Sequence, residues 1–158
     1  MKINEKIFDS NKDNWDKNTT TFTTKIRNKK NLVFLVELYN KKKFGIFIST
    51  EIEDIKKIDV NEECFLFSFY YENPSRMFPK PTDSYDFFVV ENNQSDNLFS
   101  IGNKRIIVEK RDNLVCLCRV DRWHGDKEID EYMKILPFRH TYFKIYLTIK
   151  RIVVIQMI

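Results

Sequence analysis

The order of apolar residues predicts a mainly β protein, its antiparallel strands packed in two layers, with the whole chain, residues 1–158, forming one domain. Three observations carry this. Seven or so segments are near-continuous apolar runs or alternate with a period of two, as strands do. Helical patterns do not alternate with them regularly, as a doubly wound parallel sheet would require. Apolar residues make up 42% of the chain and aromatics 15%, enough for a packed core even with 32% charged residues.

Residues 9–28 place Trp15, Phe22 and Ile26 at spacings of seven and four, which a helix gathers on one face. The run Thr19 to Thr24 works against it, because β-branched side chains lose χ1 freedom in a helix. Leu32 to Leu38 and Phe44 to Ile48 are β-preferring apolar runs joined by the polar link Tyr39 to Lys43, a buried hairpin. From Cys64 to Tyr71, Phe65, Phe67 and Phe69 point one way and Cys64, Leu66, Ser68 and Tyr70 the other, as in a strand. Pro74, Pro79 and Pro81 make Glu72 to Ser84 a loop, since proline cannot donate to a ladder. Strands follow at Tyr85 to Val90, Lys104 to Lys110 and Leu114 to Val120, the last two joined by the turn Arg111-Asp112-Asn113. Ile129, Tyr132, Met133 and Leu136 then stand at helical spacing between a capping Asp126 and a terminating Pro137. Tyr142 to Ile158, rich in Ile and Val, supplies the last one or two strands.

Composition excludes several function classes. Only three glycines occur, Gly45, Gly102 and Gly125, so a Walker loop, a dinucleotide fingerprint or a kinase glycine loop cannot be built, and no cofactor is expected. No stretch approaches the eighteen or so apolar residues of a membrane helix, and the opening Met1-Lys2-Ile3-Asn4-Glu5 has no signal core, so a cytoplasmic protein is expected. Cys64, Cys116 and Cys118 are odd in number and sit in apolar runs, as reduced, buried thiols do. The net charge of +4 is spread unevenly: +6 over residues 1–50, −7 over 51–100 and +5 over 101–158.

Four constellations could carry chemistry. Asp9-x-Asn11-x-Asp13 matches the opening of a calcium loop, but Asn14 stands where glycine should be and Thr20 where a bidentate Glu should be, so a polar turn accounts for it. Cys116-x-Cys118 puts two sulfurs on one strand face with His124 and a distant His140, yet Leu114 and Val120 share that face and core packing explains all four. His124 beside Asp126 is the best place for acid–base work, against a plain loop leading into a helix. Lys25, Arg27, Lys29 and Lys30, then Lys41, Lys42 and Lys43, form two basic clusters with aromatic neighbours that could contact nucleic-acid phosphates. No recognised nucleic-acid motif accompanies them, and lysines at a hairpin turn also serve solubility. No catalytic or metal-ligating residue is assigned.

The order of short motifs resembles the TLDc domain family, as a divergent, amoebal-type member. Phe44-Gly45-Ile46-Phe47-Ile48-Ser49 resembles the family's Phe-Gly-Gly-Tyr-type strand, with Ile46 in place of the second glycine. Cys64-Phe65-Leu66-Phe67-Ser68-Phe69 is similar to its Phe-Leu-Phe-Ser-Leu strand, and Phe99 to Ile107 to its glycine-bearing turn before a strand. Ile149 to Gln156 resembles the closing strand, Val153 replacing an acidic residue, and Ile7-Phe8-Asp9-Ser10 the opening. The resemblance spans nearly the whole chain. It implies two antiparallel sheets packed as a β-sandwich with a few flanking helices. It also implies a non-enzymatic protein acting through protein partners in the oxidative-stress response, several members binding the vacuolar proton-pumping ATPase. The alternative function is a nucleic-acid-binding regulator using the basic segments.

Overall fold

The computed structural model describes residues 2–53, 57–58, 64–69, 75–77, 88–92, 94–102, 104, 106–112, 117–120 and 145–158. They form strands β1 (Ile3–Asp9), β2 (Leu32–Leu38), β3 (Lys43–Ile48), β4 (Lys57–Ile58), β5 (Cys64–Ser68), β6 (Ser75–Met77), β7 (Phe88–Val90), β8 (Asn97–Ile101), β9 (Ile106–Glu109), β10 (Leu117–Val120) and β11 (Ile145–Met157), with one helix, α1 (Phe22–Ile26). All strand pairings are antiparallel, in the order β4-β7-β8-β9-β10-β11-β2-β3-β5-β6, while β1 also pairs with β11. The ladder is thus continuous, and the expectation of two separate sheets is corrected to one large sheet.

That sheet is not flat. Phe34 of β2 lies 5.5 Å, ring to ring, from Phe99 of β8 and 4.9 Å from Phe88 of β7. Along the ladder β2 and β8 are four strands apart, about 19 Å at ordinary strand spacing. The two wings therefore face each other across the core. The connection is β11: Ile145 to Thr148 pair with β10, whereas Ile149 to Gln156 pair with β2 and Met157 to Val153 with β1. A register shift between Ile149 and Arg151 marks the change, switching core-facing positions from Ile149 to Ile152 and Val154.

Among the described residues, six phenylalanines, Phe8, Phe22, Phe34, Phe44, Phe88 and Phe99, are fully buried in this core. α1 delivers Phe22, which stacks on Phe99 at 5.8 Å and meets the edge of Phe8 at 5.0 Å, and Ile26 one turn later. The helix is shorter than the one expected over residues 9–28. Trp15 is buried but outside it, and threonines leave only one turn in helical form.

Other expectations shift at the edges. The segment read as a proline-broken loop contributes β6, at the rim of the sheet, where a short strand tolerates proline neighbours. β1 and β8 were not foreseen as strands: β1 is a rim strand whose first four residues are exposed, so no apolar face announces it. The expected strand Tyr142 to Ile158 is one strand of 13 residues. The expected helix at Ile129 to Leu136 lies outside the described residues, and α1 is the one helix among those described.

Gly45 has a packing reason. In β3, opposite Leu35 and Phe67, it leaves room for the Phe67 ring to lie over the backbone. A Cβ there would collide with the Phe34 carbonyl oxygen and the Phe67 ring, Cε2 of which would stand 2.9 Å away. Gly45→Ala is accordingly expected to lower the unfolding free energy by about 2–3 kcal/mol in urea denaturation, the upper range for overpacking, because the backbone oxygen cannot move aside. Gly102, at φ 62, occupies the left-handed turn before β9.

Candidate functional site

The apparent calcium motif is consumed by an ion pair. Asp9, 2% exposed at the end of β1, accepts Arg151 Nε on Oδ1 at 2.9 Å and Nη2 on Oδ2 at 2.5 Å, and Lys6 Nζ at 3.0 Å. The Asn11 backbone N–H donates to Asp9 Oδ1 at 3.2 Å, closing the turn. These donors, Arg151 foremost, hold the Asp9 carboxyl well below the usual carboxylate range despite its burial. Asp13 accepts the Asp9 N–H at 2.7 Å and Lys25 Nζ at 2.8 Å. Against the opposing effect of burial, those bonds keep Asp13 ionised below its ordinary value. The carboxylates fasten β1 and α1 to β11.

Cys64 and Cys118 are buried in the core, and burial pushes the Cys118 thiol up, away from the thiolate that redox chemistry requires. In native buffer at pH 8, neither thiol is expected to react with a disulfide reagent over minutes, and both should react once the chain is unfolded in urea. Cys116, His124, Asp126 and His140 lie outside the described residues. No group of His, Cys, Asp and Glu able to hold a metal occurs among the described residues.

The two basic clusters occupy opposite ends of the β2–β3 hairpin. Lys25, Arg27, Lys29 and Lys30 precede β2, whereas Lys41, Lys42 and Lys43 form its far turn and the start of β3, about 20 Å away along a seven-residue strand. Within the first cluster Lys25 is paired to Asp13 at 2.8 Å and Lys29 to Glu5 at 3.2 Å. The structure does not bring the seven residues into one basic face.

A polar cleft of about 420 Å³ lies between the turn before β8 and the β9–β10 end, lined by Lys17, Asp96, Glu109, Lys110, Asp112 and Arg119 among others. Its charges balance. Lys17 is paired with Asp96 at 3.0 Å. Lys110, almost fully buried, donates to the carbonyls of Asn92, at 3.2 Å, and Ser95, while its own N–H binds the Asp96 carbonyl at 2.8 Å. Desolvation lowers its pKa. These bonds hold the 92–96 turn against β9. Beside the cleft, Arg111 binds Asp16 at 2.5 Å and lies over the Trp15 ring at 5.9 Å, clasping the segment before α1.

Sequence reasoning missed a different feature. The exposed large aromatics among the described residues are Tyr39 (68%), Phe69 (49%) and Tyr146 (53%), and all three gather where the β2–β3 turn meets β5 and β11. The Phe69 N–H donates to the Lys43 carbonyl at 3.0 Å, and the Tyr39 N–H to the Thr148 carbonyl at 3.2 Å, two residues from Tyr146. The period-two patterns of Phe65, Phe67, Phe69 and of Tyr146, Thr148, Lys150 contained this signal, since the alternate positions, Leu66 and Ile149, belong to the core.

No helix among the described residues is long and apolar enough to cross a membrane. No curated protein matches the chain. The family model of the TLDc domain matches residues 2–145, covering the hairpin, the Gly45 and Gly102 positions and the β5 strand whose packing is described above. The chain therefore belongs to the TLDc domain family.

Proposed function

We propose that this TLDc protein works without catalysis, through contacts with protein partners, in the oxidative-stress response or in regulating a vacuolar proton-pumping ATPase. The observation that carries this reading is the family match over residues 2–145, joined to a core fold in which the buried thiols are shielded and the perturbed carboxylates are tied into ion pairs. A protective role then rests on what the surface binds rather than on oxidation of Cys64 or Cys118. Crosslinking of the full chain in cells, followed by capture, is expected to recover subunits of the pump, and depletion is expected to lower peroxide tolerance. Recovery of no pump subunit together with normal tolerance would contradict both roles.

A further inference from the structure

We propose that the loop tip Asp16 to Thr20 is a hinged lid on the polar cleft, latched by its first two side chains and able to swing while the core residues beside it stay in place. Trp15, 4% exposed, and Phe22, fully buried, are fixed posts on either side of the tip. Between them the chain closes on itself at a narrow neck. The Asn14 carbonyl accepts the Thr21 N–H at 3.0 Å and the hydroxyls of Thr20 and Thr21 at 3.3 Å each. The Asn14 side chain accepts the Asp16 N–H at 2.9 Å and donates to Thr19 Oγ1 at 2.8 Å. A loop whose ends meet and whose bonds are largely its own moves as one piece, pivoting at its neck.

The latch lies at the cleft. Lys17 comes from the tip and lines the cleft, whereas Asp96, Lys110 and Arg119 line it from the sheet and the turn before β8. The Lys17 ammonium meets Asp96 at 3.0 Å, Asp16 Oδ1 accepts Arg111 Nε at 2.5 Å, and the Lys17 N–H donates to the Arg111 carbonyl at 3.0 Å. Both ion pairs are open to solvent, Lys17 and Asp96 being 42% and 68% exposed, Asp16 and Arg111 44% and 31%. Exposed pairs contribute little and are screened by salt, whereas the burial that holds Trp15 and Phe22 is not. The latch is therefore weaker than the posts. Its release withdraws Lys17 from the wall of the cleft and opens a path toward Lys110, which is 4% exposed while the latch is closed.

Two amides of one backbone bridge distinguish a lid from wider unravelling. The Arg111 N–H donates to the carbonyl of Trp15, a post, at 3.1 Å, while the Arg111 carbonyl accepts from Lys17, in the tip. A swinging tip breaks the second bond and spares the first. Detachment of the whole segment before α1 breaks both and brings the Trp15 ring into water.

The test is amide hydrogen exchange of the full chain followed by NMR, with sodium chloride raised from about 0.05 to about 1 M to shorten the screening length. The Lys17 amide is expected to be at least tenfold less protected than the Arg111 amide, after correction for intrinsic rates, and to lose protection as salt rises while Arg111 keeps its own. In a Trp123→Phe background, where Trp15 is the remaining tryptophan, emission should stay unshifted across the same salt range. Asp16→Asn/Lys17→Met removes both side-chain latches. It should lower protection at position 17 a further tenfold and speed acetylation of the Lys110 amine by an N-hydroxysuccinimide ester at least threefold. Equal protection of Lys17 and Arg111, protection of Lys17 that salt does not change, or a red shift of Trp15 emission in step with its loss overturns the proposal. So does Lys110 acetylation that is no faster in the folded double variant. The salt series on the native chain decides the matter alone if that variant does not fold.

Discussion

Phe99→Ala is expected to lower the unfolding free energy by about 3–5 kcal/mol in urea, the range for deleting a fully buried ring when its surroundings relax incompletely. Phe99 is in ring contact with Phe22 at 5.8 Å, Phe34 at 5.5 Å and Phe88 at 5.6 Å, so its loss opens a cavity where the two wings and α1 converge. Phe69→Ala removes the same atoms from a ring 49% exposed and is expected to cost about 1 kcal/mol or less. The contrast between these two substitutions reports burial, because the chemical change is identical. Comparable losses from both would mean that Phe99 is not in a closed core.

Arg151→Ala is expected to cost about 2–3 kcal/mol. Removing one partner of a buried pair leaves its carboxylate under-compensated, which costs about 3–5 kcal/mol when both are buried. Here Arg151 is 34% exposed, so solvent reduces the loss, while Asp9 at 2% exposure keeps most of the penalty. The pair also sets an acid dependence. Because the carboxyl of Asp9 is held below its unfolded value, its contribution is present above about pH 4 and disappears as pH falls through the folded pKa. Asp13, Asp16 and Glu37 are shifted in the same direction by Lys25, Arg111 and Lys150 and add to the acid-side loss. Urea midpoints between pH 5 and pH 2 should therefore fall for the native chain and fall less for Arg151→Ala. Equal slopes would show that the Asp9–Arg151 contact does not persist in solution.

Much of the architecture was legible where strands have one apolar face or are buried on both. The β2–β3 hairpin, β5 and the long β11 announce themselves by Leu, Val, Ile and Phe at the required period, and the structure places them as neighbours in one sheet. Glycine at position 45 was visible as a family signature, and its reason, the Phe67 ring lying over the backbone, is tertiary. β1 and β8 were illegible for different causes. β1 is a rim strand with charged exposed positions, and β8 was overshadowed by the turn at Gly102. The helical spacing of Trp15, Phe22 and Ile26 misled, because Trp15 reaches the core from a turn.

The site was less legible than the fold, since charge clusters close in sequence need not share a surface. Lys25 to Lys30 and Lys41 to Lys43 are separated by the length of β2, and the acidic motif at Asp9 meets Arg151 from the other end of the chain. Tyr39, Phe69 and Tyr146 come from three distant stretches and become one patch only through the ladders of β2, β5 and β11.

The closed aromatic core depends on the sheet folding over itself at β11. Nuclear Overhauser contacts between selectively labelled phenylalanine rings test this most directly. Cross-peaks linking Phe34 to Phe88 and Phe99 are expected, from centroid separations of 4.9 and 5.5 Å. A flat sheet, with β2 and β8 about 19 Å apart, would show none, and their absence would contradict the account.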